Sequence, residues 1–568
     1  MKIKKYMIPF FSLLFLIIIS VTLFVVLIVK SKKDTDIPAS DLNQTTAPTV
    51  VATPTVSTAP ASIPEIITSL YPAYIVNDNI RIYGYIDKSG AFVIDPVFDM
   101  ASEFHDGVAH VTIAGTDCVI DENGQVLFTS HNIMEDYHSG LASFYVLESG
   151  TDTTLYGYMD TKGKVVIEPK YLFASDFNEE GTAYVSLSAN KYALIDKTGK
   201  ELQTFELSSN FDNPWNVQDG YLIYSKDGLN RNGIVKVSGE EILAPSYSEI
   251  VYLGDDLFAV KPELDSSDEI AASKQALFNG AGEQLTDYIF YDLNQFHDGY
   301  SSATDNTTTF FINSKGERAD TLPSFEGRGT LYLDDDVITG NIDEQLIYST
   351  LDKTIFWEAN TTYQLSNTLT AETVKFKPNR NVLVYYPKLN GLTDKQIENQ
   401  INEQLKSIFI DPRKDLTIDD NTSVDDYFSV SLMNNLLIVN RNGYDYPFGA
   451  AHGMPLMDYY FIDIRSGVQY TLKDLFKTDT DYITKINELI SDEFSANSAD
   501  DNSMYFDDVF KGITENQYFK LEADALIIYF YPYDIAAYAA GFPEFTIPFI
   551  DIMDYIDTNG AFWNSFQK

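Results

Sequence analysis

Tyr83-Gly-Tyr-Ile-Asp87-Lys-Ser-Gly90-Ala-Phe-Val-Ile-Asp-Pro96-Val-Phe98 is a stretch whose parts return again and again down the chain. An aromatic and β-branched run leads into Asp87, two polar residues follow, and Gly90 closes a turn before Phe92-Val93-Ile94 resumes an apolar strand. Asp at the first turn position accepts a bond from a backbone N–H two residues on, and Gly supplies the positive φ of a tight turn. The unit reads as a β-hairpin. Pro96, with no N–H to give to a ladder, is expected to end the second strand before Phe98.

Alignment on the turn gives Asp87/Gly90, Asp121/Gly124, Asp160/Gly163 and Asp196/Gly199, then the looser Lys236/Gly239, Asn279/Gly282 and Asn313/Gly316. The intervals are 34, 39, 36, 40, 43 and 34 residues. A weaker eighth unit lies at Leu346-Ile-Tyr-Ser-Thr-Leu351, with its Gly lost. Three short strands in such a unit cannot bury a core alone, so neighbours must stack or close into a ring. A β-propeller-like domain and an open β-repeat array both satisfy that demand.

These residues resemble the WG-repeat (KWG) family of bacterial proteins, whose unit runs W/Y-G-Y-I-D-x-x-G-x-x-V-I-x-P. Tyr83-Gly84 and Tyr156-Gly157 stand where that family often has Trp-Gly. The resemblance covers about residues 70–355 and implies no catalytic residues.

Upstream, Met7 to Val29 is an uncharged run dense in Phe, Leu, Ile and Val. Its 23 residues are long enough to cross a hydrocarbon core of about 30 Å, and no small-residue cleavage site follows. An uncleaved transmembrane helix is expected, within residues 1–33. Lysines on both flanks leave the positive-inside rule nearly silent, and the short tail is expected to stay in the cytoplasm. Residues 34–66, rich in Thr, Pro, Ala, Ser and Val, read as an extended spacer. The β-repeat domain is then assigned to 67–365.

From Val374 the texture changes. Thr393-Asp-Lys-Gln396 reads as a helix N-cap, followed by Ile397, Ile401, Leu405 and Ile408 on one face. Strands are expected near 427–440 and 458–464, and a second helix buries Tyr482, Ile483, Ile486, Ile490 and Phe494. Further strands lie at 525–531 and 544–547. Residues 366–568 therefore read as an α+β domain with helices on one side of an antiparallel sheet.

Gly449-Ala-Ala-His-Gly453, Tyr460-Phe-Ile-Asp463 and the block from Tyr531 to Pro548 resemble a bacterial extracytoplasmic domain. That domain occurs in the lysozyme-sensing anti-sigma factor of Gram-positive bacteria and beside the catalytic domain of a peptidoglycan deacetylase. The resemblance implies an outward-facing sensing or accessory role. The six residues before the apolar run are expected to leave no room for an anti-sigma domain, and no deacetylase metal pattern is found.

A net charge of −44 disfavours nucleic acid and favours cationic partners. One cysteine, Cys118, excludes an internal disulfide and reads as packing. Six histidines include no zinc spacing, and 83 acidic residues make any carboxylate separation uninformative. His105 and His297 share a repeat position before Asp-Gly, which suggests turn capping. No cofactor is implied. The candidate ligand contacts are Tyr444, Tyr446, Phe448 and His452, in a Gly-rich loop between strands. The expected function is a membrane-anchored, extracytoplasmic, non-enzymatic binding protein of the envelope, recognising a lysozyme-like protein or a peptidoglycan-type glycan. A glycan-modifying enzyme and an assembly scaffold are the alternatives.

Overall fold

The structure, a computed structural model, describes residues 69–567 apart from 78–79, 131–135, 149–152, 209–211, 226–230, 265–272, 499–503 and 507–508. The expected transmembrane helix and the spacer lie outside the described residues, as does His131. Among those described, no helix is long and apolar enough to cross a membrane.

From Tyr71 to Glu358 the chain folds as eight successive sheets of three or four strands. No sheet among them is closed into a barrel. The repeated turn has one geometry throughout. Gly90 N–H donates to Asp87 O at 2.9 Å, Gly124 to Asp121 at 2.8 Å, Gly163 to Asp160 at 2.9 Å and Gly199 to Asp196 at 2.8 Å. Each Asp carboxylate also accepts from the N–H two residues on, as from Ser89 at 2.8 Å. The four glycines have φ of 76° to 78°. The eighth unit keeps this turn without its glycine: Lys353 stands in the same place at φ 67° and donates to Thr350 O at 3.0 Å.

Pro96 does not end its strand, which runs Phe92–Phe98. Tyr83 pairs with Phe98 and Tyr85 with Ile94, so Gly84 alone faces the bulged Asp95-Pro96-Val97. In a bulge the ladder asks for no N–H, and proline fits there. The same bulge faces Gly157 through Pro169 and Gly233 through Pro245. A Cβ at these glycines would lie 2.4 to 2.5 Å from the carbonyl oxygen of Ile94, Ile167 or Leu243. The second residue of the repeat is therefore glycine because two backbones nearly touch, with no demand on its φ.

An apolar cluster lies between each pair of neighbouring sheets, for example Tyr85, Ile94 and Phe98 against Ala109, Val111 and Cys118. The buried Cys118 is packing here. The eighth sheet packs back on the first: Val337 and Tyr348 bury with Tyr71, Ala73 and Ile86. Tyr348 Oη donates to Pro72 O at 2.7 Å, and Trp357 sits edge-on to Tyr74 at 5.9 Å.

The C-terminal residues build a seven-stranded sheet from Thr362 to Tyr470 and a three-stranded sheet of Phe519–Leu521, Ala525–Tyr529 and Glu544–Pro548. Four corrections arise. The strand expected at 427–440 is two strands, Thr422–Met433 and Leu436–Pro447, because Asn434 takes φ 54° and turns the chain. The sheet is antiparallel except where Val382–Asn390 runs parallel to Thr422–Met433, since the helix Lys395–Ile410 (α1) crosses between them. Asp394, not Thr393, caps α1, accepting from Gln396 N at 2.9 Å and Ile397 N at 3.2 Å. The helices lie on opposite faces of the large sheet. Leu437 and Val439 bury with Ile401, Leu405 and Phe409 of α1. Leu436 and Ile438 bury with Ile486 and Ile490 of the helix Tyr482–Ser498 (α2). Successive strand residues point to opposite faces, so one apolar run serves both cores.

Candidate functional site

The long strands Leu436–Pro447 and Met454–Asp463 pair from Leu436 with Asp463 to Asp445 with Met454, and the segment 448–453 joins them. Pro447 stops the ladder and Gly449, at φ 86°, turns the chain. Phe448 N donates to Asn421 O at 2.8 Å, which ties the loop to the neighbouring strand. Tyr446 Oη donates to Ala450 O at 3.2 Å, and Gly453 N donates to Tyr444 Oη at 2.7 Å.

His452 is exposed at the loop's end. Its Nδ1 lies 2.9 Å from Gly453 O. A carbonyl only accepts, so Nδ1 carries the proton in the neutral ring and Nε2 is left as acceptor. Tyr533 Oη, 3.0 Å from Nε2, fills that role as donor. The imidazole stacks on Tyr538 with centroids 3.9 Å apart and planes at 29°. Tyr538 Oη lies 3.5 Å from Tyr444 Oη, and its hydroxyl is pushed up by burial and by that neighbour. Tyr533 is 50 % exposed and holds φ 72°, a strained backbone for a bulky residue.

Beneath this cluster lies a buried ionic network. Arg413 grips Asp445 through Nη1 at 2.8 Å and Nη2 at 2.7 Å, and Asp426 through Nε and Nη2, each at 3.0 Å. Arg441 adds Nη2 to Asp426 Oδ2 at 2.6 Å and Nη1 to Ile408 O at 3.2 Å. Asp426 is fully buried. Asp445 stands between Tyr444 and Tyr446, so the network fixes the strand from which both tyrosines project. On the adjoining strand Tyr531 Oη meets Asp458 Oδ1 at 3.0 Å, and burial raises the Asp458 carboxyl.

Tyr444 and His452 thus come together with Tyr533 and Tyr538 in one aromatic patch. Tyr446 and Phe448 form their own edge-on pair at 6.1 Å. Tyr533 and Tyr538 were not singled out as contacts, although both sit in the Tyr-Pro-Tyr-Asp-Ile-Ala-Ala-Tyr run. The patch offers ring faces, hydroxyls and an imidazole to a partner.

The repeat histidines have another place. His105 and Val108 exchange backbone bonds of 2.9 and 3.1 Å around Asp106 and Gly107, both at positive φ, a two-residue hairpin turn. His297 and Tyr300 do the same, and so do His138 and Leu141. The backbone, not the imidazole, makes these closing bonds. Among the described residues no three His, Cys, Asp or Glu side chains gather as a metal site.

Comparison with known proteins agrees with both resemblances. The model of the WG containing repeat matches residues 83–115 and 156–192, and that of a protein of unknown function, DUF3298, matches 473–549. The anti-sigma-V factor RsiV of Bacillus subtilis is 31 % identical over 186 residues, which cover 30 % of this chain and 64 % of that protein. The match thus spans less than two thirds of the relative's length. A solved DUF3298 family member from Bacteroides fragilis is 20 % identical, covering 37 % of this chain and all of its own, with a TM-score of 0.28. One from Pseudomonas aeruginosa is 17 % identical, covering 34 % and 96 %, with a TM-score of 0.27. The chain carries WG repeats and a DUF3298 domain.

Proposed function

We propose that this chain is an extracytoplasmic, non-enzymatic binding protein of the bacterial envelope, anchored by its N-terminal apolar run. Its C-terminal domain, residues 366–568, senses a basic, lysozyme-like protein through the loop from Tyr444 to Met454. The eight repeat sheets, residues 67–365, form a β-propeller-like ring that supports it, and the spacer 34–66 holds both away from the membrane. The observation that carries this reading is the patch of Tyr444, His452, Tyr533 and Tyr538, with His452 and Tyr533 exposed and Tyr444 and Tyr538 half-buried beside them, pre-organised on the Arg413–Asp445 network. Rigid aromatic anchors of this kind dominate protein interfaces. The similarity to an anti-sigma factor supports a sensing role.

The net charge of −44 gives a cationic partner a fast, salt-dependent encounter, while the patch supplies specificity. Binding of lysozyme and of cytochrome c to the full chain at matched ionic strength is the test. Lysozyme is expected to bind more tightly, and Tyr446→Ala and Tyr533→Ala each to weaken it by about tenfold or more, the range of an interface anchor. Equal binding of both basic proteins, or indifference to both substitutions, would reduce the interaction to charge alone.

A further inference from the structure

A second recess lies far from the loop in sequence, where the first and eighth repeat sheets meet the large C-terminal sheet. It is a cleft of about 280 Å³. Aromatic walls come from Tyr74 of the first sheet, and from Tyr363, Tyr385 and Tyr427 of the large sheet. Its polar groups are Arg81, Glu344, Gln345 and Asn360. Each wall has a fixed neighbour. Tyr363 rests edge-on against Phe428 at 5.3 Å, and Tyr385 Oη donates to Asp343 O at 2.7 Å. The Arg81 guanidinium lies over the Tyr74 ring at 4.8 Å, and Tyr427 Oη donates to Glu344 Oε1 at 2.5 Å.

The turn that presents Glu344 is costly. Asp343 and Glu344 occupy its two central positions at φ 49° and 65°, places usually filled by Asn and Gly. Asp343 is buried and clamped by Lys375 at 3.0 Å, by Lys377 and by the Arg328 N–H at 3.0 Å. Arg328 also pairs with Asp425 of the large sheet.

The chemistry narrows the occupant. Arg81 and Glu344 cancel in charge, so a phosphorylated or otherwise strongly anionic ligand finds no net attraction in a chain this acidic. A purely apolar ligand would cover the Gln345 amide and the remaining hydrogen-bonding capacity of Arg81 and Glu344 without meeting it. A neutral sugar satisfies both halves, with C–H faces for the partly exposed Tyr363 and Tyr427 rings and hydroxyls for the amides, carboxylate and guanidinium. The volume is at the low end of small-ligand sites, about 300 Å³, which suits one or two rings of a chain. We infer that this cleft binds the end of a neutral oligosaccharide. The inference shares with the proposed function only the premise of a binding protein, and it uses a different surface.

Isothermal titration of the full chain with chitotetraose, cellotetraose, maltotetraose and mannotetraose tests it. At least one is expected to bind saturably, and Arg81→Ala and Gln345→Ala are each expected to weaken it about tenfold, roughly 1.4 kcal/mol. Arg81 is exposed, so its loss leaves the fold intact, which equal melting temperatures will show. Tyr446→Ala is expected to leave sugar binding unchanged, just as Arg81→Ala leaves lysozyme binding unchanged, so the two readings fail separately. No saturation by any of the four up to about 10 mM, weaker than a free energy of roughly −3 kcal/mol, would overturn the inference. Binding unaffected by both cleft substitutions would overturn it equally.

Discussion

Replacing Gly157 with alanine puts a methyl carbon 2.4 Å from Ile167 O, 2.7 Å from Pro169 N and 3.0 Å from Glu168 C. Carbon and carbonyl oxygen normally approach to about 3.4 Å, so the overlap is about 1 Å. All three atoms are backbone, and no side chain can swing aside. The strand carrying Pro169 has to retreat from Tyr156 and Tyr158, whose partners are Tyr171 and Ile167. Overpacking costs about 1–3 kcal/mol, and each ladder bond loosened adds about 1 kcal/mol, which gives about 4 kcal/mol. At about 2 °C per kcal/mol for a large domain, the melting temperature should fall by about 8 °C. Gly140→Ala is the reference, since Gly140 has φ 84° and its Cβ would meet nothing within 4 Å. That variant bears only left-handed strain, about 1–2 kcal/mol. Thermal melts of the full chain, followed by calorimetry and by near-ultraviolet circular dichroism, compare the two. If Gly157→Ala melts no lower than Gly140→Ala, the account of the Tyr-Gly pair as a close backbone approach is wrong.

Asp426→Ala strands Arg441 in the buried network and leaves Arg413 with Asp445 alone, and should cost about 3–5 kcal/mol in urea unfolding. Lys414→Ala, which removes an exposed pair with Asp411, should leave the urea midpoint nearly unchanged. The Asp425 carboxyl is pushed up to about 6 by burial, with Arg328 offsetting only part of that. The folded state then holds its proton more tightly than the unfolded chain, so this contribution is full below the ordinary carboxylate range and is lost as pH rises towards about 6. Asp425→Asn should flatten the stability profile between about pH 4 and 6, by at most about 3 kcal/mol, and parallel wild-type and variant profiles would contradict it. Tyr533→Gly should relieve about 1 kcal/mol of backbone strain while weakening lysozyme binding, and a lower melting temperature would speak against strain at that residue.

The repeated turns were legible because their chemistry is local, an Asp carboxylate and a positive-φ Gly within four residues. Lys353 shows the limit, since the eighth turn keeps its geometry without the glycine, helped by the Thr350 and Asp352 side chains, and so reads only weakly in sequence. Pro96 was misread because the bulge that accepts it is formed with Gly84 on the partner strand. The hairpin at Asn434 was hidden inside a continuous apolar pattern, and with it the two-faced burial that puts α1 and α2 on opposite sides. At the candidate site, Tyr444 and His452 stood out through their Gly-rich loop. Tyr533 reaches His452 across 81 residues and Tyr538 reaches Tyr444 across 94, separations that no periodicity reports.

The bond from Tyr348 to Pro72 spans 276 residues. At about 5–20 residues per second, a growing chain needs roughly 14 to 55 s to make the second partner after the first. For that whole interval the apolar face of Tyr71, Ala73 and Ile86 has no cover from the eighth sheet. The first sheet is an early product waiting on a late one, and a break in synthesis anywhere before Tyr348 leaves a sticky edge at each end. Timing during synthesis, as much as the final packing, therefore favours a repeat region that is made complete or cleared.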